Sequence, residues 1–175
     1  MSAATRLPAA LTYDEVPAPI GRLIVASDGA SIVGVWMANA SPSDPSWASA
    51  RGEDACLREA RAQLDAYFAG RLRQFDLPLS PNGTEFQRRV WLALQAIPFG
   101  TTISYAELAR HVGSGAAVRA VGAANGRNPI PIIVPCHRVI GSDGSLTGFG
   151  GGLDRKRWLL THEGALPGGQ EELAI

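Results

Sequence analysis

Cys136 and His137 stand side by side in Asn128-Pro129-Ile130-Pro131-Ile132-Ile133-Val134-Pro135-Cys136-His137-Arg138-Val139-Ile140-Gly141, an apolar run interrupted by three prolines. A free thiol near its ordinary pKa is mostly protonated at neutral pH, so a nucleophilic cysteine needs a partner such as imidazole to take its proton. Neighbouring residues of a strand point to opposite faces, so only a turn can bring this ring and this sulfur into one network. Repeated proline bars the segment from a helix interior or a central strand. Constrained backbone is costly to fold, and a Cys-His pair inside it suggests that the position of the thiol matters. On the pair alone, other readings stand beside the reactive thiol: a buried cysteine next to a satisfied histidine, or a cysteine hydrolase with multiple turnovers.

The remaining groups of this kind carry less chemistry. Cys56 falls on the apolar face of a helix and reads as a core thiol. His111 lies near a helix C-terminus, where capping or a phosphate contact suffices to explain it, and His162 has no evident role. No Cys/His cluster has zinc-ligand spacing, so no structural metal is expected. Cys56 and Cys136 lie far apart and do not make a disulfide framework, which fits a reducing compartment.

With 175 residues, 46% of them hydrophobic and 18% charged, the chain can bury one good core or two small ones. The segment Met1-Ser2-Ala3-Ala4-Thr5-Arg6-Leu7-Pro8 lacks the apolar core of a signal peptide, and no stretch is long enough to span a bilayer, so a cytoplasmic protein with no membrane partner is expected. A formal net charge of zero hides an uneven distribution. Residues 1–83 hold 7 basic and 9 acidic side chains, whereas 84–162 hold 9 basic and 4 acidic. That second stretch could face phosphates, and all but one of the chain's cations are arginine, which pairs with phosphate in bidentate fashion.

The elements that must position Cys136 can be read in outline. Leu23–Ala26 and Ile32–Trp36 predict two strands around Ser27-Asp28-Gly29, residues 39–50 a loop, and Glu53–Phe68 a helix with Cys56, Leu57, Ala60, Leu64 and Phe68 inward and Gly70 beyond its end. After a polar connection over 71–83, Thr84-Glu85-Phe86-Gln87 has the form of a capping box and opens a helix stopped by Pro98-Phe99-Gly100. Ser104-Tyr105-Ala106-Glu107 is a second capping box, starting a short helix that ends at Gly113. A third helix over Ala116–Ala124 turns Val118 and Val121 inward and leaves a face that is small except for Arg119. The last two helices form a helix-turn-helix candidate, although an ordinary packed helix pair has the same pattern. The expected fold is α+β, with an N-terminal strand-and-helix domain at 1–82 and a mainly helical domain at 83–175.

The string Ile133-Val134-Pro135-Cys136-His137-Arg138-Val139-Ile140 resembles the active-site signature of the O6-alkylguanine-DNA alkyltransferases. The similarity continues through Gly83–Phe86, Gly100–Tyr105, Arg119–Gly122, Asn125–Pro129, Gly151–Leu160 and His162–Gly164, covering roughly residues 83–164. It implies a ribonuclease H-like first domain and a stoichiometric DNA-repair protein. The alkyl group would pass irreversibly from guanine O6, and in some members thymine O4, to Cys136, leaving a thioether that water does not cleave.

By the same resemblance, His137 would take the thiol proton, Glu163 would support the imidazole, Asn128 would brace the turn, and Tyr105 would donate to the departing base. Pro131, Val139, Phe149 and Gly150 would form the base pocket. Phe149 departs from the family's more usual Tyr, removing a hydroxyl. Arg119 would fill the space of a flipped base, with Ala120 and Gly122 letting the helix approach the minor groove and Tyr105, Ser114 and Ser142 making further DNA contacts. The partner would be double-stranded DNA with alkylated guanine, bound by a monomer, with cooperative binding along DNA left open. A second reading within this resemblance is a protein that binds alkylated guanine without repairing it, but such relatives lack the acceptor cysteine.

Overall fold

The computed structural model describes residues 11–37 and 50–166. Four strands make one sheet: β1 (Thr12–Val16), β2 (Leu23–Ser27), β3 (Ile32–Met37) and β4 (Ala50–Arg51), in the order β3-β2-β1-β4. The anticipated hairpin is β2 and β3, antiparallel with Leu23 opposite Met37 and Val25 opposite Val35. β1 was not anticipated. It pairs antiparallel with β2 from Thr12–Ser27 to Val16–Leu23. The loop expected at 39–50 lies outside the described residues except for Ala50, which with Arg51 forms β4.

Helix α1 (Ala55–Phe68) packs on this sheet through Leu57, Ala60 and Leu64, and it starts two residues later than expected because Asp54 caps it, accepting from the Leu57 amide at 2.8 Å. The connection that follows covers the outer edge of β3: Ile32 donates to Pro78 O at 2.8 Å, and Ser80 returns a bond to Ile32 O at 2.9 Å. The pairing satisfies backbone groups that an edge strand would otherwise expose.

Both predicted capping boxes form, Thr84 with Gln87 on α2 (Glu85–Gln95) and Ser104 with Glu107 on α3 (Tyr105–His111). Helix α4 (Val118–Gly126) begins two residues later than expected, after a turn in which Ala117 N donates to Ser114 O at 2.7 Å. Helix α5 (Leu153–His162) closes the described fold. Two short strands, β5 (Ile103–Ser104) and β6 (Val139–Ile140), pair in parallel. Their pairing matters more than their length suggests, because Tyr105 follows β5 directly and the Cys136–Arg138 turn precedes β6. Among the described residues, no helix is long and apolar enough to cross a membrane.

Candidate active site

The three prolines do shape a turn. Val134 N donates to Ile130 O at 2.9 Å, and Cys136 N to Val134 O at 2.8 Å, after which Cys136–Arg138 make one turn of 3-10 helix. Inside this segment Ile132 adopts φ +75°, a left-handed conformation that a β-branched residue disfavours at a cost of about 1–3 kcal/mol. Asn128 spans the turn: its amide donates to Val134 O at 2.8 Å and its oxygen accepts from Ile130 N at 3.0 Å. The side chain thus replaces missing backbone bonds at both ends of the strained stretch.

Cys136 and His137 are both buried. The His137 Nε2 lies 2.7 Å from Glu163 Oε1. The same carboxylate accepts from Arg138 through Nε at 2.8 Å and Nη2 at 2.9 Å, and from the Tyr67 hydroxyl at 2.7 Å. Burial by itself raises the Glu163 pKa, but hydrogen bonds from His137 and Arg138 overcome it and hold the carboxyl well below the usual range. Burial pushes His137 down against the pull of Glu163, so the ring is neutral near pH 7. An ionised carboxylate can only accept, which fixes the imidazole hydrogen on Nε2 and leaves the lone pair on Nδ1. That Nδ1 is buried and has no hydrogen-bond partner among the described residues.

The sulfur is tuned by opposing effects. Burial pushes the Cys136 thiol up, while a hydrogen bond with Asn128 and the charge of Lys156 favour its thiolate. Lys156 is fully buried in α5. Its Nζ donates to Val139 O and Thr147 O, and burial lowers its pKa to about 8. The Thr147 carbonyl also accepts from the Tyr105 hydroxyl at 3.0 Å, and Lys156 Nζ lies 5.9 Å from the Tyr105 ring centre. Burial keeps this phenol above its ordinary pKa, hence a donor at neutral pH.

A cavity of about 240 Å³ opens beside Cys136. Pro131, Phe149 and Gly150 line it. Val139 does not: it is fully buried, and its carbonyl is taken by Lys156. Tyr105 stands just outside, its hydroxyl on the residue before Gly148, which does line the cavity. Three contributors escaped sequence reasoning. Asn125 and Tyr67 sit on helices whose apolar periodicity is explained by packing alone, and Lys156 lies on the buried side of α5 beside Arg155, so nothing in their spacing marks them. Trp36 and Met37 of β3 also line the cavity, from the far end of the chain.

The candidate nucleic-acid residues lie elsewhere. Arg119 and Ala120 are exposed on α4, with Ala116, Ala123 and Arg127 on the same face, and Arg119 has no carboxylate partner among the described residues. Ser142 is exposed in the loop after β6, and Ser114 is half-buried at the turn between α3 and α4. Gly122 points inward instead: a Cβ there would meet the Tyr105 ring at 3.7 Å.

Fold and site together define an α+β protein with a buried thiol beside a cavity of about 240 Å³, a buried cluster of His137, Arg138, Tyr67 and Glu163, and exposed arginines on the face of α4. Comparison with known proteins carries this further. Residues 11–81 match the family described as 6-O-methylguanine DNA methyltransferase, ribonuclease-like domain, and residues 85–165 match its DNA binding domain. A methylated-DNA–protein-cysteine methyltransferase of Mycolicibacterium paratuberculosis is 50% identical over 155 residues, covering 87% of this chain and 92% of that one. Its counterpart in Mycobacterium leprae is 53% identical over 147 residues, covering 83% and 87%. A crystal structure of Mycobacterium tuberculosis OGT in complex with DNA superposes with a TM-score of 0.80 at 47% identity, over 87% of this chain and 92% of that chain. The chain belongs to the 6-O-methylguanine DNA methyltransferase family.

Proposed function

We propose that this protein repairs DNA by taking the alkyl group from O6-alkylguanine onto Cys136 in a single irreversible step. The observation that carries the reading is the His137–Glu163 pair: it leaves a neutral imidazole with its lone pair on Nδ1, inside the segment that holds the thiol. The thiol proton passes to His137. The sulfur lone pair then forms the S–C bond as the bond from alkyl carbon to O6 breaks, and that electron pair goes to the guanine. Tyr105 protonates the base and is reprotonated from the relay, so the thiol's proton is conserved in the guanine released. The product thioether has no carbonyl for water to attack, and turnover ends there.

Glu163 stabilises the imidazolium while it exists, as the carboxylate does in hydrolytic triads. Lys156 opposes the cost of a buried thiolate and, through Thr147 O, keeps Tyr105 at the rim of the cavity. The Tyr105 hydroxyl must exchange its Thr147 contact for the base during transfer. The absent hydroxyl at Phe149 leaves packing without donation on that side. O4-alkylthymine would fit the same chemistry.

Residues 83–175 act as the DNA-binding and acceptor domain, and 1–82 as a separate N-terminal domain. The exposed face of α4 enters the minor groove of double-stranded DNA, and Arg119 takes the place of the base that rotates out, since guanine O6 cannot be reached inside the stack. Ala120 allows close approach, while Ser114, Ser142 and Tyr105 contact the flanking backbone. The protein works as a cytoplasmic monomer without metal or organic cofactor. Incubation with an oligonucleotide containing O6-methylguanine is expected to add one methyl to the peptide bearing Cys136, read by mass spectrometry. Transfer beyond one equivalent would overturn the reading in favour of a hydrolase or a recycling enzyme.

A further inference from the structure

The Glu163 side chain is wholly out of solvent, and its two oxygens are unequally loaded. Among the described residues, Oε2 accepts from Arg138 Nε alone, whereas Oε1 accepts from His137 Nε2, Arg138 Nη2 and the Tyr67 hydroxyl. A carboxylate oxygen offers about two lone pairs, so the donors on Oε1 share its charge between them. His137 and Arg138 belong to the active-site turn. Tyr67 comes from the last turn of α1, 96 residues before Glu163.

Tyr67 is held so that its hydroxyl can reach little else. It is fully buried, and Phe68, Phe75, Phe99 and His162 surround its ring at centroid distances of 5.1, 5.2, 6.2 and 5.2 Å. The His162 Nε2 also lies 2.8 Å from the Tyr67 carbonyl, which ties α1 to α5 one residue before Glu163. Burial and the charge of Glu163 hold the phenol well above its ordinary pKa, so it stays protonated and donates to the carboxylate. A phenylalanine would make the same ring contacts. The hydroxyl therefore calls for an explanation beyond packing.

A hydroxyl dipole with its positive end on Oε1 draws carboxylate charge away from the His137 Nε2 hydrogen, and it faces the imidazolium that forms when His137 takes a proton. Glu163 favours that imidazolium, while Arg138 and, from earlier in α5, Lys156 oppose it with full charges. Tyr67 opposes it without adding a charge to the interior. We propose that Tyr67 is a positioning residue of the transfer reaction: by occupying Glu163 Oε1 it moderates the carboxylate's pull on His137, so that the imidazole can take the thiol proton and give it up again. The proposal rests on the reading that His137 serves Cys136 as its base. It makes α1, and the sheet on which α1 packs, part of the proton relay.

The test follows the His137 ring by heteronuclear NMR in the full chain, and single-turnover methyl transfer from an O6-methylguanine oligonucleotide over the same pH range. Tyr67→Phe keeps the ring and removes one oxygen. The Nε2-bound proton is expected to move downfield, because Oε1 becomes the stronger acceptor. The acid limb of the transfer rate should move up by about 0.5–1 pH unit, roughly a 3- to 10-fold gain in proton affinity. A ring-fluorinated tyrosine at the Tyr67 position is a stronger donor and should move both readouts the other way, which serves if the phenylalanine variant does not fold. His162→Gln, which loosens the same ring without a change at Oε1, should leave both in place. Equal shifts in His162→Gln and Tyr67→Phe would reduce the effect to packing and overturn the proposal. So would an unmoved Nε2 proton, or an acid limb within about 0.2 pH unit of the unsubstituted protein's, in folded Tyr67→Phe. An unsubstituted protein that methylates Cys136 at no pH would instead overturn the reading beneath the proposal, while the Nε2 proton would still report on Tyr67.

Discussion

The charged groups behind Cys136 and the charged groups on α4 follow opposite rules. Behind the sulfur, Glu163, His137, Arg138 and Lys156 are buried, and each has partners placed by several elements. On α4, Arg119 and Arg127 are exposed with no carboxylate against them among the described residues. In the first set the partners are in place before any ligand arrives, which the proposed buried thiolate and imidazolium would need because solvent cannot reorganise around them. The second is left uncommitted, as the proposed contact with phosphate and an unstacked base requires. Fold and chemistry are therefore inseparable in one region and separable in the other.

Glu163→Ala should break the comparison most visibly if it is wrong. Removing this carboxylate strands Arg138 and the Tyr67 hydroxyl in the interior, so denaturant unfolding should show a loss of about 3–5 kcal/mol together with loss of transfer. An inactive variant of normal stability would mean that the relay is not structural. Arg119→Ala comes next. Its melting temperature should stay within about 1 °C, as expected of an exposed side chain without partners, while transfer from duplex DNA should slow by about 10- to 100-fold and transfer from free base should change little. An equal effect on both substrates would remove the argument for base extrusion.

The pH dependence of stability sharpens the contrast at a smaller scale. His137 resists protonation in the fold, so the unfolded chain binds more protons as the pH drops below about 6.5. Its contribution is complete above that value and is lost as pH falls. Glu163, also depressed, adds a second loss of the same sign below about 4.5. Melting temperatures between pH 8 and 5 should decline in the unsubstituted protein and in Arg119→Ala alike, and less steeply in His137→Gln. Identical slopes in all three would show that the buried imidazole does not carry the effect.

Much of the site was legible one residue at a time. The prolines announced a turn at Cys136, and the capping boxes at Thr84 and Ser104 formed as read, because they are local hydrogen bonds with a fixed three-residue spacing. Helix α5 was not legible as an apolar stripe, since Arg155 and Lys156 lie on its buried side with Leu159 and Leu160. β5 and β6 were too short to show a period of two. Nor could the spacing show that the Val139 carbonyl meets Lys156, seventeen residues on.

The sequence by itself determined the constrained turn and the capped helices that flank it, since these depend on residue type and on contacts within a few positions, and the family resemblance marked Cys136 as candidate nucleophile and His137 as its candidate base. Only the tertiary structure decided which imidazole nitrogen is free, that Tyr67 of α1 completes the Glu163 cluster, that Tyr105 and Lys156 share one carbonyl, and that β3 walls the cavity. Each of these is a meeting of segments tens of residues apart, and burial, which fixes both charge state and cavity shape, exists only once those segments have packed.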